Sequence, residues 1–93
     1  MPSYMVGQIN IKDDELWNKY IDDIETSLES YDAKMIFNGD KEQLIAGTKK
    51  SSLVVKFFKC DELNTWFNSE KYQSTLVLRD EAANVSITTY KEY

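Results

Sequence analysis

Leu53-Val54-Val55-Lys56-Phe57-Phe58 is the most strand-like stretch of the chain, and its reading decides the fold. β-Branched and aromatic residues suit a pleated surface, and this run is apolar at both parities, with Leu53, Val55 and Phe57 on one side and Val54, Lys56 and Phe58 on the other. A strand of this kind belongs in the middle of a sheet. Downstream, Asp61 can cap a short helix bearing Leu63, Trp66 and Phe67, and Ser69 can cap a further segment over residues 70–83. The second helical region is therefore expected to break at Asn68-Ser69. Residues 85–90 close the chain as a strand, Val85, Ile87 and Thr89 alternating with Ser86, Thr88 and Tyr90.

Upstream of the central strand, residues 47–52 read as a polar connection and 42–46 as a short returning or kinked strand. Asn38-Gly39-Asp40 reads as a turn, because Asn and Gly tolerate positive φ, and residues 33–37 as the strand before it. Trp17, Tyr20, Ile21, Ile24, Leu28 and Tyr31 recur at helical spacing, while Asp22, Asp23, Glu25 and Glu29 fall outside the stripe. Asp13 or Asp14 can cap that helix. Residues 5–11 alternate as a first strand, with Met5, Gly7, Ile9 and Ile11 on one side.

This order is that of an α+β, ferredoxin-like split βαβ domain, an antiparallel sheet with two helices on one face, occupying residues 1–93 as a single unit. Ile9, Ile11, Leu53, Val55, Phe57, Val85 and Ile87 supply the face for the helices. The other face would carry Val6, Gln8, Asn10, Ile36, Asn38, Val54, Lys56, Phe58 and Tyr90, a mixture too apolar to leave in water. A second copy laying its sheet against this one is the economical cover, so a homodimer is expected, with polar side chains of that face lining a cleft. A domain of 93 residues buries somewhat over ~60% of the surface that its unfolded chain exposes, which also favours a shared core.

Composition narrows the function by exclusion. The net charge is −5, and residues 13–32 hold eight acids against the single base Lys19. One acidic helix and no basic face argue against nucleic acid and against anionic lipid as partners. No apolar run is long enough to span a membrane, and residues 1–8 lack the basic start and apolar run of a signal peptide, so a cytoplasmic location is expected. The chain has no histidine, which removes Ser-His-Asp and Cys-His nucleophile systems and histidine-ligated metal. A lone cysteine, Cys60, builds neither a disulfide nor a thiolate cluster, and Gly7, Gly39 and Gly47 are too scattered for a P-loop or a dinucleotide fingerprint. No metal and no cofactor are expected. Asp13-Asp14, Asp22-Asp23 and Asp80-Glu81 read as caps and solvated surface rather than acid–base pairs.

One constellation remains: Trp66, Ser69, Tyr72, Gln73 and Arg79, with Asn38 on the second strand. Tyr72 and Arg79 are seven residues apart, two helical turns, and so share a face. A guanidinium beside a phenol can hold the carboxylate or enolate of a small ligand. The bland alternative is that Tyr72 is core and Arg79 pairs with Asp80, Glu81 or an acid of a second copy.

The stretch Phe57-Phe58-Lys59-Cys60-Asp61-Glu62-Leu63-Asn64-Thr65-Trp66-Phe67-Asn68-Ser69-Glu70-Lys71-Tyr72-Gln73, followed by Leu78-Arg79 and Ala82-Ala83, resembles the domain-of-unknown-function family numbered 1330. That pattern is a strand ending in Phe, a helix with an aromatic pair, Ser-x-x-Tyr-Gln, then Leu-Arg. Val6-Gly7-Gln8-Ile9 and the helix from Trp17 to Tyr31 fall in register with it. The resemblance implies a protomer of the dimeric α/β-barrel superfamily, whose two sheets face each other. Ser69, Tyr72 and Arg79 match its motif and Trp66 an aromatic position, whereas Asp32-Ala33 stands where Gly-Gly is usual and Asn38-Gly39-Asp40 where Arg-Gly-Gly is usual. Losing that arginine weakens an anion-binding role for the turn. Two functions fit: a dimer binding a small anionic or aromatic molecule at Asn38, Trp66, Ser69, Tyr72 and Arg79 in a cleft between sheet and helices, or a cofactor-free, monooxygenase- or isomerase-like enzyme acting on a small aromatic or enolisable acid. In the second, Arg79 would orient the anionic group, Tyr72 would move a proton and Asn38 would stabilise an oxyanion.

Overall fold

The computed structural model describes residues 1–93. The chain runs β1 (Ser3–Ile11), α1 (Asp14–Leu28), β2 (Ala33–Asp40), β3 (Ser51–Phe57), α2 (Glu62–Phe67), α3 (Glu70–Gln73), α4 (Leu76–Ala82) and β4 (Ala83–Lys91). The strands form one sheet in the order β2-β3-β1-β4, with every neighbouring pair antiparallel. The Leu53–Phe58 stretch sits inside the sheet between β2 and β1, as its two apolar parities require. Each helical crossover joins two parallel strands separated by one other, the split βαβ arrangement expected from the sequence.

Burial alternates along all of β3 and along β1 as far as Asn10. Met5, Ile9, Leu53, Val55 and Phe57 are buried under the helices together with Trp17, Tyr20, Ile21, Ile24 and Leu28 of α1 and Leu63, Trp66 and Tyr72 of the second helical region. Fully burying an aliphatic or aromatic side chain stabilises by about 1.5–3 kcal/mol, so this one layer supplies the dominant favourable contribution to folding. Helix α1 starts where Asp13 accepts the Leu16 backbone N–H at 3.1 Å. The second region breaks after Phe67, as expected, and again at Ser74-Thr75, where the Thr75 hydroxyl bonds back to the Tyr72 carbonyl at 2.6 Å. No helix is long and apolar enough to cross a membrane.

Two expectations need correcting. Asn38, Gly39 and Asp40 do not form a turn; they extend β2 and pair with Leu53, Ser52 and Ser51. Residues 42–46 are correspondingly not a strand but part of the loop that closes this hairpin, held at its neck by Lys41 N–H donating to the Lys50 carbonyl at 2.7 Å. Within that loop Gly47 takes the positive φ of 85°. The second correction follows from a bulge between Met35 and Phe37. The extra residue shifts β2 parity, so Asn38 pairs with the buried Leu53 and lies on the helix side, whereas Phe37 pairs with Val54 on the open side.

The open face is consequently ordered in rows across the strands. Lys34, Lys56, Tyr4 and Tyr90 form one, Phe37, Val54, Val6 and Thr88 the next, and Gly39, Ser52, Gln8 and Ser86 a third. Ile36, Phe37 and Phe58 are each close to half exposed, at 48%, 48% and 46%.

Candidate functional site

Trp66, Ser69, Tyr72 and Arg79 are brought together by α2, α3 and α4, and the structure gives each a partner. The Trp66 ring is wholly buried, its Nε1 donating to Ser27 Oγ at 2.8 Å and its centroid 4.3 Å from that of Tyr72. Ser69 is the N-cap of α3: its Oγ accepts the Tyr72 backbone N–H at 3.2 Å and donates to the Trp66 carbonyl at 2.6 Å. Tyr72 is also wholly buried, and its hydroxyl lies 3.2 Å from that of Tyr20 on α1. Arg79 Nη1 donates to the Tyr72 hydroxyl at 3.4 Å, while Nε pairs with Asp80 at 3.1 Å. The seven-residue spacing works even though the helix is interrupted between the two residues. Asn38 is not part of this group; it is exposed on the edge strand β2.

The result is a packed network with one cation at its rim: Tyr72 is core and Arg79 pairs with Asp80, the bland alternative, and the expected cleft between sheet and helices does not open at these residues. Four hollows mark the surface, the largest of about 680 Å³ beneath the 41–50 loop, and none is lined by Asn38, Trp66, Ser69, Tyr72 or Arg79. The Arg79 side chain is 19% exposed and that of Asp80 69%. Two of the five guanidinium N–H donors are used, and no buried side-chain nitrogen or oxygen lacks a partner, so Nη2, which makes no hydrogen bond, reaches the surface.

Burial pushes the Tyr20 phenol well above its ordinary pKa, with the charge and hydrogen bond of Tyr72 acting in the same direction. Burial also works against the Arg79 charge, but hydrogen bonds and charge from Tyr72 and Asp80 outweigh it and raise the guanidinium pKa. Tyr20 is therefore a neutral hydroxyl that serves to hold Tyr72. Sequence reasoning placed Tyr20 on the apolar stripe without seeing this, and it missed Ser27 as the Trp66 acceptor. The available signal was a hydroxyl on a buried stripe, since buried polar atoms must find partners. No group of three or more Cys, Asp or Glu side chains is arranged to hold a metal ion.

Fold and site together define a ferredoxin-like α+β protein with a Tyr–Tyr–Arg network between its helices. The chain belongs to the family called Domain of unknown function (DUF1330), whose pattern matches residues 2–93. No curated protein sequence matches it. Among solved structures it is similar to RPA0582, a protein of unknown function from Rhodopseudomonas palustris, with a TM-score of 0.76 and 14% identity over 99% of this chain and 82% of that one. A dimeric ferredoxin-like protein of unknown function from Thermobifida fusca superposes with a TM-score of 0.69 and 11% identity, covering 99% and 92%. SnoaB, a cofactor-independent oxygenase from Streptomyces nogalater, gives 0.69 and 3% identity, covering 99% and 93%. At these identities the likeness is one of fold.

Proposed function

We propose that this protein is a single-domain, cytoplasmic homodimer in which the open sheet faces of two copies meet, and that it binds a small anionic or aromatic molecule. The observation that carries the pairing is the open face itself: Ile36, Phe37 and Phe58 stand half exposed around Val6 and Val54 on a surface no helix covers. At ~25 cal/mol per Å² of apolar area, covering these side chains on both copies stabilises by several kcal/mol. The similar Thermobifida fusca protein is dimeric, which supports the same reading here. For the ligand, Arg79 offers its outward donors to a carboxylate, with the Tyr72 hydroxyl behind it. Trp66 and Ser69 then act by fixing Tyr72, Trp66 by stacking and Ser69 by capping.

A second reading, a cofactor-free enzyme for a small aromatic or enolisable acid, draws support from the direct contact of Arg79 with a buried phenol that is itself hydrogen-bonded to Tyr20. There Arg79 orients the acid and Tyr72 exchanges a proton once the Arg79–Asp80 pair opens. Asn38 takes no oxyanion role in this reading, because it is exposed on the edge strand β2, outside the Tyr20–Tyr72–Arg79 group. Sedimentation at micromolar concentration tests the pairing, and a stable monomer contradicts it. In a thermal-shift screen of carboxylates, Arg79→Ala should weaken ligand stabilisation while keeping the dimeric mass; unchanged binding removes Arg79 from the site.

A further inference from the structure

Lys34, Lys56, Tyr4 and Tyr90 lie side by side across all four strands of the open face, each the register partner of the next. The Lys56 ammonium stands 4.9 Å from the Phe58 ring centroid and 5.7 Å from that of Tyr4. Lys34 and Lys56 are like charges directly opposed on neighbouring strands, an arrangement that destabilises a sheet. Neither has a carboxylate partner, since the ion pair of the molecule is Arg79–Asp80. The chain has 16 acids against 11 bases, yet the strand rows of this face contain none of the acids. Glu92, just past β4, already accepts the Tyr4 hydroxyl.

Face-to-face pairing turns this into a constraint. In a two-fold dimer that meets through one surface, what lies opposite is that same surface. The strand rows of the second copy bring no carboxylate to Lys34 and Lys56, and the acid at the end of this face, Glu92, is engaged by the Tyr4 hydroxyl. Ammonium groups carried into an interface without counter-charge are strongly unfavourable. Resting on the pairing proposed above, we infer that the cleft between two copies binds a small aromatic carboxylate, its carboxylate between Lys34 and Lys56 and its ring against Tyr4 and the Phe37–Val54–Val6 row. The protomer supplies half of this site and the second copy closes it. An inorganic anion would satisfy the lysines but leave the apolar walls beside them unfilled, which is why the geometry favours an aromatic acid.

The test measures dimer dissociation by sedimentation in sodium benzoate, sodium phosphate and sodium chloride at equal ionic strength, for the wild-type chain and for Lys34→Met/Lys56→Met. A ligand present at about ten times its Kd for the dimer, and not bound by the monomer, tightens dimerisation about 11-fold per site. Benzoate should do this for the wild-type chain, with phosphate and chloride doing less. The double variant should dimerise more tightly than wild type in chloride and ignore benzoate. Phosphate matching benzoate overturns the ligand class. A dimer indifferent to both anions, or one held by Glu92 so that Glu92→Gln weakens it, overturns the site but not the pairing. A chain monomeric in every condition, the double variant included, overturns both.

Discussion

Replacing Tyr72 by Phe removes a single oxygen from the least accessible part of the molecule, and the neighbouring residue should bear most of the cost. Tyr72 is 0% exposed and Tyr20 1%, and their hydroxyls are 3.2 Å apart. The Tyr20 hydroxyl has no other side-chain or backbone partner, so Tyr72→Phe strands it in the core. An unsatisfied buried hydroxyl costs about 1–3 kcal/mol. The lost Arg79 contact adds little, because at 3.4 Å it is a long bond from a group that reaches water. Tyr20→Phe is milder, about 0.5–1.5 kcal/mol, since Tyr72 keeps Arg79 as a donor. The double variant removes both buried oxygens and should cost less than the two single changes together by at least about 0.5 kcal/mol. Urea unfolding at one fixed protein concentration reads all three, with the slope unchanged. Each 1 kcal/mol should also appear as a melting shift of about 4–8 °C in a domain of this size. Strict additivity of the two single changes would refute the hydrogen-bonded pair.

Three further outcomes are expected. Tyr20 keeps its proton in the folded state above the pH at which an unfolded tyrosine, with a pKa of about 10, gives it up. Its contribution is therefore fully present below about pH 10 and is lost as pH rises beyond, at up to about 1.4 kcal/mol per pH unit; in alkaline urea titrations Tyr20→Phe should show a shallower loss, and an identical profile counts against it. Ser69→Ala removes the cap of α3 and its bond to the Trp66 carbonyl, and should cost about 0.5–2 kcal/mol by thermal melting, whereas a neutral change would show that Ser69 is free for another role. Phe37→Arg places a charge in the apolar row of the open face, so it should leave the circular dichroism spectrum intact while shifting sedimentation toward monomer; a dimer as tight as wild type would move the interface elsewhere.

Much of this molecule was legible along the chain because its signals are local. A 3.6-residue stripe from Trp17 to Leu28, a two-sided strand at Leu53–Phe58, and capping residues at Asp13 and Ser69 each report on their own neighbours in sequence. The candidate site was half legible for the same reason. Seven-residue spacing put Arg79 near Tyr72, but Tyr20 and Ser27, which arrive from α1 across 52 and 39 residues of sequence, leave no local trace beyond a hydroxyl on a helix.

What the sequence by itself determined, then, was the kind and order of the elements and which of their faces are apolar, since periodicity and capping are properties of short stretches. Only the tertiary structure decided how those faces register. One bulged residue between Met35 and Phe37 carries Asn38 to the helix side and Phe37 to the open side, and pairing with Ser51 and Ser52 draws Asn38-Gly39-Asp40 into β2 instead of a turn. A strand alternates with period two, so a single inserted residue reverses every side chain beyond it, and no composition rule records where a partner strand permits that insertion. The same registration aligns Lys34 with Lys56 and Tyr4 with Tyr90, joining residues far apart in the chain into one row.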